Sequence, residues 1–191
     1  MIISEVKDIF EKIGKQYNEY DVFIETGTFR GETVANVKDI FDTVISIEIV
    51  DALYQAAHNQ FKPFPNVEII KNDCVLELPK LIEQYNDKKI VFFLDGHYSA
   101  GVTGKNDKDV PLLDELKVIN DSYKQECLII IDDADLFEFK DRFVSWAGIN
   151  EENIMNMIGD RVVNHFYTPN LKPTNGNKKR LIMQIKSKGN E

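Results

Sequence analysis

Cysteine is scarce and no apolar run is long. Cys74 and Cys127 are the two cysteines among 191 residues, in separate predicted elements and outside any CxxC or Cys/His spacing. That excludes a disulfide framework and a zinc-ribbon site, and both read as small core residues. The longest apolar stretches, such as Ile90–Leu94 and Cys127–Ile131, are five residues long, far short of a membrane span. The N-terminus lacks the basic start and continuous apolar stretch of a secretory signal. No membrane partner and a cytoplasmic location are therefore expected. Positive charge is also in deficit: 23 Lys and Arg against 32 Asp and Glu leave a net −9. Nucleic-acid affinity rests on neutralising phosphates, so no nucleic-acid partner is expected. The one basic triplet, Lys178-Lys179-Arg180, reads as the solvated end of a hairpin. Finally, the chain has neither the GxGxxG turn of dinucleotide binders nor the lysine of a P-loop.

What is present is 43% hydrophobic and 10% aromatic residues, enough for one buried core at this length. Strand-like and helix-like patterns alternate from end to end, which implies a parallel α/β sheet. An amphipathic opening helix carries Ile3, Val6, Ile9, Phe10 and Ile13 on one face. Strands are predicted at Asp21–Glu25, Thr43–Glu48, Val67–Ile70, Ile90–Leu94 and Cys127–Ile131. Helices are predicted from about Gly31 through Phe41, then over Asp51–Phe61, Val75–Tyr85 and Asp109–Tyr123. The rhythm then changes. Phe137–Ile158 reads as one or two helices broken at Gly148, and Arg161–Tyr167 with Arg180–Lys186 reads as an antiparallel hairpin. The expected fold is a doubly wound, Rossmann-like α/β sheet of seven strands, mostly parallel with a C-terminal antiparallel hairpin. Residues 1–20 would form the N-terminal helix, 21–135 the cofactor-binding core and 136–191 the C-terminal helices and hairpin of a single domain.

In an open α/β sheet, ligands sit outside the carboxyl ends of the strands. The first strand runs into Glu25-Thr26-Gly27-Thr28-Phe29-Arg30-Gly31, a glycine turn that opens a helix. Glu25 stands where a dinucleotide binder has its first glycine, and a carboxylate there repels pyrophosphate and suits a cation. Gly27 and Gly31 alone also fit an ordinary tight turn. The second strand ends in Glu48, at the spacing expected for a carboxylate gripping a ribose diol. After the third strand comes Asp73, an acceptor for an adenine amino group or, alternatively, a helix N-cap.

Three acids at three successive strand ends resemble the cofactor site of class I S-adenosylmethionine-dependent methyltransferases, whose first motif is ExGxxxG. The order of elements over roughly Asp21–Lys186 resembles that family too. The resemblance implies cofactor contacts from Glu25, Thr26, Gly27, Thr28, Gly31, Thr33, Glu48, Asp73, Cys74 and Asp95. The fourth strand ends Leu94-Asp95-Gly96-His97 and the fifth ends Ile131-Asp132-Asp133. Crowded carboxylates attract a hard cation, so Asp95, Asp132 and Asp133 are expected to hold Mg²⁺. This resembles metal-dependent O-methyltransferases of the macrocin and catechol types. Their first and second functions here would be Mg²⁺-assisted O-methylation of a small hydroxylated acceptor such as a sugar, or metal-independent O- or N-methylation. A non-catalytic module on the same fold is a third reading. His97 or Asp95 is the expected base. Asp132-Asp133 also fits turn and N-cap duty. The loop Ser99–Lys108 reads as a substrate lid or an interface, and with the hairpin it would support a homodimer.

Overall fold

The computed structural model describes residues 1–97, 110–140, 142, 144–169 and 178–189. The Ser99–Lys108 loop and the connection within the terminal hairpin lie outside them. The chain forms α1 (Ile3–Ile13), β1 (Val22–Thr26), α2 (Glu32–Val37), β2 (Thr43–Glu48), α3 (Asp51–Phe61), β3 (Val67–Lys71), α4 (Cys74–Gln84) and β4 (Ile90–Leu94). There follow α5 (Leu112–Ser122), β5 (Cys127–Ile131), α6 (Glu151–Ile158), β6 (Val162–Pro169) and β7 (Lys178–Ile185). The seven strands make one sheet in the order β3-β2-β1-β4-β5-β7-β6. β1 to β5 are parallel, and β7 runs antiparallel to both β5 and β6.

Every residue of β1, β4 and β5 is buried, as expected for central strands covered on both faces. Alternate side chains feed two cores. Val22 and Ile24 pack with Leu78 and Leu81 of α4, Leu116 and Ile119 of α5, and Ile154 and Ile158 of α6. Phe23 packs on the other face with Val6, Ile9 and Phe10 of α1, Val34 and Val37 of α2, and Phe61 of α3. Among the described residues, the sheet is thus covered by three helices on each side. Among the described residues, no helix is long and apolar enough to cross a membrane.

Two expectations fail. Helix α2 stops at Val37, after which Ile40 and Phe41 both turn back to the Val37 carbonyl. Among the described residues, 137–150 form no helix. Their backbone is satisfied across a loop instead, with Trp146 N donating to Phe139 O (2.8 Å) and Glu138 N to Ile149 O (3.0 Å). Buried Trp146 anchors this loop, and α6 starts only where the Asn150 side chain caps Asn153 N at 2.8 Å.

Strand order reverses between β1 and β4, and such a switch point opens a crevice at the strands' carboxyl ends. Gly27 is needed there twice over. Its φ is +84°, and a Cβ would stand 2.4 Å from the Asp95 carbonyl oxygen, so only glycine lets the β1 turn lie against the end of β4.

Candidate functional site

Glu25 is the fourth residue of β1 and pairs in register with Ser46 of β2. It is 2% exposed. Ser46 Oγ donates to its Oε2 at 2.5 Å, and the Thr28 hydroxyl lies 2.6 Å from Ser46 Oγ. Burial pushes the Glu25 carboxyl up to about 8, against hydrogen bonds from Ser46 and Thr33 that favour the charged form. Thr26, Thr28 and Thr33 are all buried and spend their hydroxyls inside the fold, so what this turn offers a ligand is its backbone. Gly31 caps α2 with φ +72°, and a Cβ there would meet the Phe61 ring at 2.5 Å.

Glu48, at the end of β2, is nearly as buried as Glu25. Its Oε2 accepts Phe29 N at 2.9 Å and its Oε1 accepts Val50 N at 2.7 Å. Each carboxylate oxygen has two lone pairs, so these bonds fix the group and leave one acceptor site on each oxygen. Phe29 itself holds a positive φ of 48°. Phe29, Ile49 and Leu76 follow three successive strand ends and stay exposed as large apolar side chains. Asp73 does what the alternative reading proposed: its Oδ1 accepts Val75 N (2.7 Å) and Leu76 N (3.3 Å) as the N-cap of α4. Cys74, half-buried beside it, is hydrogen-bonded to Glu115.

Across the switch point, the ring of His97 lies between two carboxylates. Its Nδ1 is 3.4 Å from Asp95 Oδ1 and its Nε2 is 3.2 Å from Asp133 Oδ2, while Trp146 covers the ring at 5.0 Å between centroids. Burial disfavours the charged imidazole, but the hydrogen bonds and charges of Asp133 and Asp95 outweigh it and hold the ring protonated well above its ordinary range. Burial raises Asp95 above the usual carboxylate range despite its bond to His97. Asp133 is held low: burial acts the other way, but His97 with Lys179 and Arg180 prevail. Asp133 also sits in the left-handed region, at φ 49°.

Asp132 stands outside this cluster, contrary to the expectation for a three-acid metal site. Arg180 of β7 pairs with its carboxylate, Nη2 donating to Oδ2 at 3.1 Å while Nε lies 3.1 Å from Oδ1. Nη1 of the same guanidinium donates to Glu5 Oε1 of α1 at 2.8 Å. Arg180 is 2% exposed, so the basic triplet is not a solvated hairpin end at its third residue. Among the described residues, the groups whose ligand atoms lie within 4.8 Å of one another are Asp95, His97 and Asp133. A set in which a protonated ring stands between the two carboxylates does not suit Mg²⁺, which favours oxygen ligands.

Sequence reasoning missed four residues here: Ser46, Glu115, Trp146 and Arg180. Ser46 and Glu115 did leave a signal, each a polar residue at a core position of an apolar pattern. Glu115 follows Leu112 by three residues and precedes Ile119 by four on the buried stripe of α5. Burial pushes it up to about 7, against hydrogen bonds from Cys74 and Thr26.

No family model matches the chain. A stretch of 72 residues is 35% identical to a ribosomal RNA small subunit methyltransferase A from Alkaliphilus oremlandii (strain OhILAs), covering 37% of this chain and 25% of that protein. The match thus spans a quarter of that relative's length. Among solved structures, an S-adenosylmethionine-dependent methyltransferase from Clostridium acetobutylicum ATCC 824 superposes with a TM-score of 0.56 at 12% identity, covering 97% of this chain and 98% of that one. Spermidine synthase from Thermotoga maritima also gives 0.56, at 15% identity, over 87% of this chain and 53% of that one. The fold is therefore the class I S-adenosylmethionine-dependent methyltransferase fold, and the second likeness shows that the fold also serves other transfers.

Proposed function

We propose that this protein is a methyltransferase that uses S-adenosylmethionine and transfers the methyl group to a hydroxyl of a small acceptor, without a metal ion. The observation that carries the reading is the burial of Glu25 and Glu48 at adjacent strand ends beside the switch point. A crevice floored by acids suits a cation, which Glu25 meets by giving up the proton that burial makes it keep. S-adenosylmethionine supplies a positively charged sulfonium bearing a transferable methyl. The residues fit it. Glu48 has acceptor sites left for a ribose diol, and Ile49 offers an exposed apolar surface to a purine face. The net charge of −9 favours a small acceptor over a nucleic acid.

Proton removal falls to Asp95. With both ring nitrogens facing carboxylates, His97 is an imidazolium and has no lone pair to offer. It holds Asp95 and Asp133 in place and offsets one of their two negative charges. Asp95 is the carboxylate whose proton affinity burial has raised, which suits a base for a hydroxyl.

Titration calorimetry tests the cofactor assignment. S-adenosylhomocysteine is expected to bind, and Glu48→Ala to weaken it roughly 10- to 100-fold through lost hydrogen bonds to a charged acceptor. Binding unaffected by the substitution would remove Glu48 from the site, and no binding of either cofactor form would remove the reading.

Glu25 gives a second, pH-linked outcome. Its carboxyl has an ordinary value of 4.5 and stands near 8 when folded. Between those values the folded protein keeps a proton that the unfolded chain releases, so stability from this group is complete below about 4.5 and declines as pH rises through about 8. A cation bound beside it favours the ionised form. Binding of S-adenosylmethionine at pH 7, measured in buffers of different ionisation enthalpy, is expected to release protons. Proton-neutral binding would place the cation away from Glu25.

A further inference from the structure

We propose that Trp146 is a positioning residue for methyl transfer, its indole packed against the His97 ring so that the ring holds Asp95 in place to receive the acceptor proton. This rests on the methyltransferase reading above.

The contacts of His97 with its two carboxylates do not fix the ring by themselves. Nδ1 faces Asp95 Oδ1 at 3.4 Å and Nε2 faces Asp133 Oδ2 at 3.2 Å. Both nitrogens lie on the ring's edge, so these contacts leave it able to rock about the line that joins them. A third contact off that line stops the motion. Trp146 supplies it, with ring centroids 5.0 Å apart and planes inclined at 58°.

The indole is itself held. Trp146 belongs to the loop that follows Asp133, where its N–H donates to Phe139 O at 2.8 Å and its carbonyl accepts Ile149 N at 3.0 Å. The Phe137 ring lies beside it, 6.3 Å away between centroids. Trp146 is 2% exposed, so the loop that leaves the cluster at Asp133 returns a buried ring to it at His97.

The choice of tryptophan carries the inference further. Its Nε1 is buried without a hydrogen-bond partner among the described residues, and a buried unpaired N–H is costly. A leucine or phenylalanine would fill space there without that cost. What an indole adds is the strongest of the aromatic faces for a cation, and His97 between its carboxylates is a cation. Attraction to the ring it covers offsets the unpaired donor.

Asp95 is then held from two directions. Its backbone N–H donates to Thr26 O at 3.1 Å, at the end of β1, and its Oδ1 faces the steadied imidazolium. The other carboxylate oxygen is left for the acceptor hydroxyl. A displacement of about 1 Å at a reacting group costs about 100-fold in rate, so a rocking His97 would be felt in turnover.

Tryptophan occurs once in the chain, so its fluorescence reads this contact alone. A protonated imidazole beside an indole quenches emission, and His97→Gln is expected to relieve that quenching. Unchanged emission would mean that the two rings do not meet in solution and would overturn the proposal. Turnover is followed as release of S-adenosylhomocysteine with a hydroxylated acceptor that the wild type methylates, at a temperature where circular dichroism shows each variant folded. Trp146→Leu is expected to lower kcat about 10- to 100-fold, with the affinity for S-adenosylhomocysteine unchanged. Trp146→Phe restores an aromatic face and should recover most of the loss. A merely structural role would lower the melting temperature of both variants and leave the kcat of the folded protein alone. A wild-type kcat in Trp146→Leu, or a Trp146→Phe variant as slow as Trp146→Leu, overturns the assignment of Trp146 alone. If the wild type binds no S-adenosylhomocysteine, the methyltransferase reading fails, and this inference with it.

Discussion

Asp95→Asn is expected to lower kcat by about 10²- to 10⁴-fold, the usual share of a positioned general base, while S-adenosylhomocysteine still binds. Asn has the shape of Asp and keeps an oxygen toward His97, so the Asp95-His97-Asp133 arrangement need not collapse when the negative charge is lost. What goes is the acceptor for the hydroxyl proton. In the wild type the rate should rise with pH as Asp95 ionises, with that limb displaced above the ordinary carboxylate range because burial raises the group. The limb should vanish in the variant. Steady-state rates across pH, with and without excess chelator, make the comparison. A chelator that abolishes turnover, restored by a divalent ion, would return the cluster to metal binding and end the role of Asp95 as a free base.

The largest expected effect on stability comes from Arg180→Met. The guanidinium joins β7 to the end of β5 through Asp132 and to α1 through Glu5. Removing it strands a buried carboxylate, and breaking such a pair by one partner costs about 3–5 kcal/mol. For a chain of this size that corresponds to a fall in Tm on the order of 10 °C. Arg180→Lys should recover only part of this, since one ammonium cannot hold Asp132 and reach Glu5 as well. Adding Asp132→Asn to Arg180→Met should recover stability by removing the unpaired charge. Thermal unfolding followed by circular dichroism reads all three. A single Arg180→Met change that leaves Tm unmoved would mean the network contributes nothing.

The strands that carry the site were legible because each is a short apolar run closed by an acid. Ile90–Leu94, Cys127–Ile131 and Asp51–Phe61 have the predicted bounds, since burial on both faces or a clean helical stripe leaves little ambiguity. The positions of Glu25, Glu48 and Asp95 followed from the strand ends. The chemistry of Asp132 did not. Its partner Arg180 is 48 residues away, and Glu5 is 175 residues from Arg180, so no local pattern separates a carboxylate that meets a metal from one that meets a guanidinium. Helical periodicity misled for residues 137–150, where aromatic side chains such as Trp146 reach the core from a loop closed by its own backbone. Glu115 was legible in principle, as an acid where the stripe calls for an apolar residue.

The place of β7 in the sheet governs the order in which this molecule can be completed. β7 is made last yet lies between β5 and β6. A chain being synthesised has therefore delivered Asp132 and all of β6 before the strand that separates them exists. Until then β5 presents a bare edge, and β6 has no neighbour at all. Such an edge invites pairing with foreign strands. Closure is one late event that brings Leu181, Ile182, Met183 and Ile185 into the two cores together with the counter-ion of Asp132. The period of greatest exposure to misassembly on the ribosome thus ends only when the last strand emerges.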